Sequence, residues 1–325
     1  MFEVLISPQI QYLLILQDFR NITNGFFNNF FMQVTTFGEN LILLTLIAII
    51  YWFINKKAGI FLIFNLAISV IINLFIKLSA CINRPWIIDS RVCPLEEALP
   101  QADGYSFPSG HTARAMGVWG AIAYWWWNNR ILRYFAITIA LLIGFSRNYI
   151  GVHTPQDVLI SIVLGIAIII GLAKLLNWIE ENNQRDILVF LMAVLLGIAI
   201  YIFLNIKCAN QMLTYDSSLD TINPLKMKHS EYDKLGFYFG VLTGWIIERK
   251  LLNTNLVKLD IKKKIIFGIL GISILQTIPI IMQFICSSML PQQILSALIK
   301  FIEAVYIIVL YPIILKYLAN HQDKT

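Results

Sequence analysis

The sequence predicts an all-α protein, a polytopic membrane bundle of about nine transmembrane helices with an interfacial helix at its N-terminal end. Of its 325 residues, 58% are hydrophobic and only 14% are charged, and the mean hydropathy is +0.70. Soluble domains have roughly 45–50% apolar and about 25% charged residues. The net charge of +6 does not indicate a nucleic-acid partner, because most lysines and arginines lie in short connectors between apolar runs.

The expected helices follow from apolar runs that approach the roughly 20 residues needed to cross a bilayer. These runs lie at about 40–55, 58–79, 109–127, 132–150, 156–178, 187–206, 234–248, 264–285 and 297–318. Before them, the stretch from Gln11 to Met32 mixes apolar residues with Gln17, Asp18 and Arg20. This mixture predicts an amphipathic helix lying on the membrane surface. A disordered polar and aromatic lead-in is the alternative for this stretch.

The distribution of basic residues predicts the orientation of the bundle. Lysines and arginines are concentrated in connectors on one side of this arrangement, at 56–57, 130–133, 174–185 and 249–264. Because short cytoplasmic loops are enriched in Lys and Arg, we expect that side to be cytoplasmic. The protein is therefore expected to be integral to the membrane, in the cytoplasmic membrane of a bacterium, with its other side facing outward.

All four cysteines fall at the outer ends or in the outer loops of the predicted spans. Disulfides Cys81–Cys93 and Cys208–Cys286 are one interpretation, because an exported face is oxidising. The other interpretation is that the cysteines serve as small buried hydrophobic side chains. The sequence leaves both interpretations open.

Three short segments carry the chemistry that the sequence offers, and all three fall at the predicted outer face. They are Lys77 followed by Arg84-Pro85, then Pro108-Ser109-Gly110-His111, then Ser146-Arg147 with His153 and Asp157. Guanidinium groups donate forked hydrogen bonds to phosphate, and a lysine adds a point charge. Cations at a lipid boundary are costly unless an anion lies between them. The segments together therefore indicate a phosphate site, although Lys77 alone is more typical of a side chain that snorkels to lipid headgroups.

The second segment reads as the start of a helix that faces an anion. Ser109 is a favourable N-cap, and the free amides at a helix start bind anions. Gly110 permits close approach of the backbone to a phosphate. His111 would lie in the first turn, where it can act as general acid toward a leaving oxygen. A simple serine cap with an incidental histidine is the alternative.

The third segment pairs a histidine with a carboxylate. Thr154 and Pro155 predict a helix start, which places Asp157 in the first turn. There, Asp157 can accept a hydrogen bond from one ring nitrogen of His153, leaving the other nitrogen free to attack phosphorus. A capping contact between Asp157 and the backbone is the structural alternative, and the two roles are compatible.

The three segments together resemble the tripartite signature of the type 2 phosphatidic acid phosphatase superfamily, which also contains glucose-6-phosphatases and vanadium haloperoxidases. The resemblance implies an all-helical bundle and a metal-independent phosphatase with a phosphohistidine intermediate and no cofactor. It assigns His153 as the nucleophile, Asp157 as its partner and His111 as the acid. It assigns phosphate binding to Lys77, Arg84, Ser109, Gly110, Ser146 and Arg147.

The position of the signature suggests a division of the chain. Residues 1–38 are expected to form the interfacial segment, 39–180 the catalytic phosphatase core and 181–325 additional C-terminal helices. The expected substrate is a lipid phosphate monoester or a polyprenyl pyrophosphate in the outer leaflet. The alternatives are a sugar-phosphate hydrolase resembling glucose-6-phosphatase, a lipid-diphosphate phosphotransferase, and a non-catalytic lipid-binding or transport protein. The sequence does not distinguish the alcohol attached to the phosphate or the oligomeric state.

Overall fold

A computed structural model describes residues 2–102, 104–182, 184–214, 224–252 and 259–322, and every regular element in those ranges is a helix. The all-helical class is thus confirmed. The first half contains α1 (Phe2–Ile22), α2 (Asn28–Thr36), α3 (Asn40–Ile49, continued by a π-helical stretch Ile50–Ile54), α4 (Lys56–Ala80), α5 (Pro85–Ile88), a 3₁₀ helix (Glu96–Gln101), α6 (Gly110–Ala115), a π-helical stretch (Met116–Gly120), α7 (Ala121–Trp125) and α8 (Arg130–Tyr149). The second half contains α9 (Pro155–Glu180), α10 (Arg185–Thr214), α11 (Pro224–Ile247, continued by Glu248–Leu252), α12 (Ile261–Cys286), α13 (Gln292–Val305, continued by Tyr306–Leu310) and α14 (Tyr311–Gln322).

Among the residues that the structure describes, six helical stretches are long and apolar enough to cross a membrane, and a bent pair would make seven. The six are Lys56–Ile88, Arg130–Tyr149, Pro155–Glu180, Arg185–Gln211, Ile261–Cys286 and Gln292–Leu318. The bent pair joins Asn28–Thr36 to Asn40–Ile54 at an angle of 47°.

Two of the predicted spans are helical but do not qualify as spans in the structure. The helical run that begins at Gly110 ends at Trp125, short of the roughly 20 residues that a bilayer requires. Helix α11 is long enough, but its first half carries Glu231, Asp233 and Lys234 among other charged residues. The structure therefore does not confirm the predicted number of nine.

The residues divide into two compact units, and the first contains all three signature segments. This unit comprises Met1–Ile42, Ile68–Ile170 and Leu204–Lys228. Within it, α2 packs along α8: the rings of Phe31 and Tyr149 lie 4.2 Å apart, and the Tyr149 hydroxyl donates to Asn28 Oδ1. Helices α6 and α7 also pack against α8.

The N-terminal segment belongs to the first unit and is helical, so it is not a disordered lead-in. In α1, Ile10 and Leu13 are buried in a small cluster with Val92. The Arg20 guanidinium donates to the carbonyl oxygen of Cys93 at 2.6 Å. These contacts place α1 beside the loop that joins the first two signature segments.

The second unit comprises Leu43–Ala67, Gly171–Phe203 and His229–Thr325. Its α11 approaches α13 closely, because glycines allow the two backbones to touch. A Cβ at Gly236 would lie 2.0 Å from the carbonyl oxygen of Ala297, and one at Gly240 would lie 2.6 Å from that of Phe301. Small residues at this spacing are typical of packed helices in membranes.

The four cysteines form no disulfide in the structure, and only Cys208 is fully buried. The predicted bonds Cys81–Cys93 and Cys208–Cys286 are therefore absent. The alternative of small buried hydrophobic side chains fits Cys208, whereas Cys93 is exposed.

Candidate active site

The three signature segments converge inside the first unit, at the ends of five helices. Lys77 lies in the last turn of α4 and Arg84 precedes α5, Ser109 caps α6, Arg147 lies in the last turn of α8, and Asp157 lies in the first turn of α9. The signature side chains are all buried: Lys77, Arg84, Ser109, His111, Ser146, Arg147, His153 and Asp157. Segments that are up to 80 residues apart thus form one interior polar cluster.

His153 is held between an arginine and a carboxylate, which fixes its tautomer. Arg84 Nη1 lies 3.0 Å from His153 Nε2, and Asp157 Oδ2 lies 3.2 Å from His153 Nδ1. A guanidinium only donates, so Nε2 must accept, and the ring proton resides on Nδ1, where it faces the carboxylate. His153 therefore presents an unprotonated Nε2 to the centre of the cluster, as a nucleophile requires.

Asp157 combines the two roles that the sequence left open. Its Oδ2 faces His153 and also accepts from the backbone amide of Thr154 at 2.9 Å. A third donor, the Ser106 hydroxyl, lies 2.6 Å from the same oxygen and 3.4 Å from His153 Nδ1. Ser106 was not expected from the sequence, because it lies between the signature segments and belongs to no recognisable motif.

The electrostatic surroundings keep His153 neutral. Burial, followed by the positive charges of Arg84, Arg147 and Lys77, lowers the pKa of His153 well below its usual value. Both effects disfavour the imidazolium. The imidazole is thus in its nucleophilic form at neutral pH.

The start of α6 has the geometry expected of an anion site. The Ser109 hydroxyl accepts from the backbone amide of Thr112, and the Asn73 amide donates to the carbonyl of Pro108, which steadies the turn. A Cβ at Gly110 would meet only Arg114 Nη1 at 3.7 Å and Asn73 Oδ1 at 3.8 Å. Because those are ordinary contact distances, packing within the protein does not demand glycine there, and the open side is left for a ligand.

Several donors of the cluster have no partner among the described residues. They are His111 Nε2, Arg147 Nε and Arg147 Nη2, all buried. Buried polar groups are nearly always hydrogen-bonded, and a buried cation without an anion is costly. A tetrahedral oxyanion placed among these atoms would satisfy them.

Two other signature residues use hydrogen bonds within the protein. The Lys77 ammonium donates to the carbonyl of Tyr105 at 3.0 Å, and the Ser146 hydroxyl donates to that of Ile143 at 2.7 Å. Lys77 therefore points into the protein near the site and does not extend to the surface. Among the described residues, no group of three or more His, Cys, Asp or Glu side chains is placed to hold a metal ion.

The fold and site define a helical membrane-type protein with a buried polar cluster around His153. Residues 58–181 match the family model of the PAP2 superfamily. The matched residues include all three segments, and the match confirms the resemblance. No solved structure gives a significant match.

Curated proteins are similar to parts of this chain. Undecaprenyl-diphosphatase BcrC of Bacillus subtilis (strain 168) is 36% identical over 103 residues, which are 32% of this chain and 49% of that protein. Phosphatidylglycerophosphatase B of the same organism is 29% identical over 157 residues, 45% of this chain and 73% of the relative. An undecaprenyl-diphosphatase of Sulfolobus acidocaldarius is 27% identical over 139 residues, 42% of this chain and 65% of the relative. The first of these matches thus spans about half of the relative's length.

Proposed function

We propose that this protein is an integral-membrane phosphatase that hydrolyses a lipid phosphate monoester or a polyprenyl pyrophosphate without a metal ion. One observation carries the proposal: a neutral histidine of fixed tautomer lies among buried donors that lack partners. The relatives' names support the substrate class, since they describe two undecaprenyl-diphosphatases and a phosphatidylglycerophosphatase.

The reaction proposed has two displacements at phosphorus. His153 Nε2 attacks phosphorus while the bond to the leaving oxygen breaks. His111, which enters this step as an imidazolium favoured by the bound phosphate anion, gives that oxygen its proton and becomes neutral. In the free protein, Arg84 donates a hydrogen bond to His153 Nε2 at 3.0 Å. As Nε2 bonds to phosphorus, the same N–H of Arg84 donates instead to a phosphoryl oxygen, and Arg84 keeps its proton. Water activated by His111 then attacks phospho-His153, which releases orthophosphate and restores both histidines.

An apolar cavity supports a substrate with a hydrocarbon chain. It has a volume of about 800 Å³ and lies in the first unit, between α6–α7, α8 and α9, the helices that also carry His111, Arg147 and Asp157. Its lining includes Met116, Trp127, Leu141, Ile162, Ile166 and Ile170. A soluble sugar phosphate has no apolar chain to fill such a cavity, whereas a lipid phosphate does.

We also propose that the site faces outward. Ion pairs within the second unit join connectors that the basic residues assign to the cytoplasmic side: Lys56 with Glu248, Lys57 with Glu180, and Arg249 with Asp186. The signature residues lie at the opposite ends of α4 and α9 from these connectors. On this topology the substrate resides in the outer leaflet. Residues 39–180 form the catalytic core, and residues 1–38 lie at the outer interface. The whole chain then crosses the membrane about nine times.

A substrate panel tests the proposal directly. Purified protein in detergent, with EDTA present, should release phosphate from undecaprenyl pyrophosphate, phosphatidylglycerol phosphate or phosphatidate in preference to glucose 6-phosphate. His153→Ala should abolish both turnover and acid-labile labelling of the protein by ³²P-substrate. His111→Ala should slow turnover. A strict requirement for Mg²⁺ would contradict the mechanism.

The same panel separates the alternatives. Preference for glucose 6-phosphate would favour the sugar-phosphate hydrolase. Transfer of phosphate to an added alcohol or lipid acceptor in preference to water would favour the phosphotransferase. Lipid binding without turnover by the unaltered protein would favour the non-catalytic reading.

A further inference from the structure

We propose that Thr35, Phe37 and Gly38, at the end of α2 and in the turn that follows it, position two arginines of this site. The proposal rests on the phosphatase function described above. We call these residues the α2–α3 corner. They lie outside the three signature segments and before the part of the chain, 58–181, that matches the superfamily. The corner contacts two guanidinium groups, one through a hydroxyl and the other through a backbone carbonyl.

The first contact fixes Arg147. Its Nη1 donates to Thr35 Oγ1 at 2.9 Å, and both side chains are buried, with 0% and 1% exposed. The hydroxyl of Thr35 is the one hydrogen-bond acceptor that the described residues provide for Arg147, because Nε and Nη2 have none. A planar guanidinium bound at one nitrogen has its other edge directed at a defined place. Thr35 thereby determines where Nε and Nη2 point.

The second contact fixes Arg114, a cation that the signature does not include. Arg114 lies one turn after His111, and its Nε donates to the carbonyl oxygen of Gly38 at 3.0 Å. The same corner accepts a hydrogen bond from Trp119 Nε1 at the carbonyl of Phe37, also at 3.0 Å. The corner therefore binds the helical run that begins at Gly110 at two points beyond His111, one in α6 and one in the π-helical stretch that follows it.

Close packing leaves the corner little freedom to move. A Cβ at Gly38 would lie 3.0 Å from Ile143 Cγ2 and 3.4 Å from the carbonyl oxygen of His111. Helix α2 is itself held on α8 by Phe31, Tyr149 and Asn28. The Thr35 hydroxyl is therefore presented by a docked helix and not by a loose loop, as precise positioning requires.

Thr35 acts through Arg147 and does not reach the substrate, so its loss should reveal itself as misplaced phosphate binding. Thr35→Val keeps the shape of the side chain and removes the acceptor. We expect kcat/KM to fall by about 10- to 100-fold, the range that small misplacements cost, and the inhibition constant of orthophosphate to rise. Thr35→Ser restores a hydroxyl and should recover most of the loss.

The matched control is Thr36→Val on the same helix. The Thr36 hydroxyl donates to the carbonyl of Gln33 within its own helix, so this change should leave kinetics and orthophosphate inhibition as they are. A folded Thr35→Val protein with the kinetics and orthophosphate inhibition of the unaltered protein would overturn the proposal. If Thr35→Val does not purify in a folded form, Thr35→Cys replaces it, because the thiol is a weaker acceptor of similar size. A folded Thr35→Cys protein with unchanged kinetics and orthophosphate inhibition would likewise overturn the proposal.

A binding measurement separates this proposal from the phosphatase function. Thermal shift of the unaltered protein by orthophosphate or vanadate reports the pocket without turnover. If no panel substrate is hydrolysed, the phosphatase function fails, yet a shift that Thr35→Val loses and Thr35→Ser retains would still support the corner. If substrates are hydrolysed but Thr35→Val binds and turns over normally, the corner alone fails.

Discussion

At the scale of single residues, one oxygen of the Asp157 carboxylate lies within hydrogen-bonding distance of three donors. Its Oδ2 faces the Ser106 hydroxyl, the Thr154 amide and His153 Nδ1 at 2.6, 2.9 and 3.2 Å. Three donors on one oxygen fix the direction of the carboxylate. The orientation of His153 consequently depends on Ser106, a residue that makes no contact with the expected position of phosphorus in the proposed reaction.

Replacing Ser106 tests this dependence. Ser106→Ala removes one donor from Asp157, which should loosen the alignment of His153 and lower kcat by about 10-fold, less than the roughly 10²- to 10⁴-fold that a positioned acid or base contributes. KM should change less, because the cationic phosphate ligands are untouched. Steady-state kinetics on the best panel substrate measures both constants.

Ser79→Ala is the control for that substitution, since the Ser79 hydroxyl is exposed and bonds to the carbonyl of Phe75 in its own helix. A Ser106→Ala protein with an unaltered kcat would show that Asp157 aligns His153 without the serine.

The ionisation of His153 gives a second residue-scale prediction. Burial and nearby cations lower its pKa, so the folded protein resists protonation that the unfolded chain accepts near pH 6.5. This site's contribution to stability is accordingly fullest above about pH 6.5 and is lost as the pH falls below it. With ¹³C-labelled histidine, the His153 resonance, identified by its loss in His153→Asn, should titrate with a midpoint below that of an ordinary histidine.

The chain has only four histidines, so the assignment is practicable. A midpoint at or above the ordinary value would contradict the neutral form of the nucleophile that the geometry supports.

The sequence permitted prediction of the signature residues but not of their supports. Lys77, His111 and His153 lie in short motifs whose spacing is legible without a structure. Ser106 and Thr35 belong to no motif, and only the docking of α2 and of the loop before α6 brings them to Asp157 and Arg147. Long-range hydrogen bonds of this kind depend on tertiary packing, which local patterns do not encode.

At the scale of elements, the apolar cavity between α6–α7, α8 and α9 provides a test of the lipid substrate. Leu141 lines the cavity and is half exposed, so a larger side chain can be placed there without disturbing the core. Leu141→Trp should raise KM several-fold for a long-chain substrate, because it narrows the space for the hydrocarbon chain. Hydrolysis of a short-chain, water-soluble phosphatidate should be nearly unaffected, as kinetics on the two substrates would reveal.

Ile131→Trp, at a highly exposed position on the same helix outside the cavity lining, serves as the control. Equal effects of Leu141→Trp on long-chain and short-chain substrates would argue that the chain binds elsewhere.

The elements also show where hydropathy was insufficient. The nine predicted segments are all helical, yet hydropathy did not show that the helical run from Gly110 ends at Trp125. A legible signal was overlooked in α11, where Gly236, Gly240 and Gly244 recur every fourth residue, the spacing of closely packed membrane helices. The bend between α2 and α3 had no such signal, because it depends on contacts with α6 and α8.

At the scale of the whole molecule, the orientation in the membrane decides which leaflet supplies the substrate. We expect a cysteine introduced at Glu97, exposed beside the site, to react in intact cells with a maleimide that cannot cross membranes. A cysteine at Lys262, exposed at the start of α12, should react only after permeabilisation. Both substitutions are made in a protein whose four cysteines are replaced by serine. The reverse pattern of labelling would invert the topology.

The bond between Arg147 and Thr35 also bears on how the protein can be divided or recombined. A fragment beginning at residue 58 would include every signature residue and the whole superfamily match, yet it would lack the hydroxyl that orients Arg147. Transplanting the signature helices into another scaffold would meet the same deficit. The smallest transferable catalytic module therefore begins upstream of its motifs, at α2. A chimaera that joins two relatives at the motif boundary would contain every signature residue, yet its arginine would be misaligned.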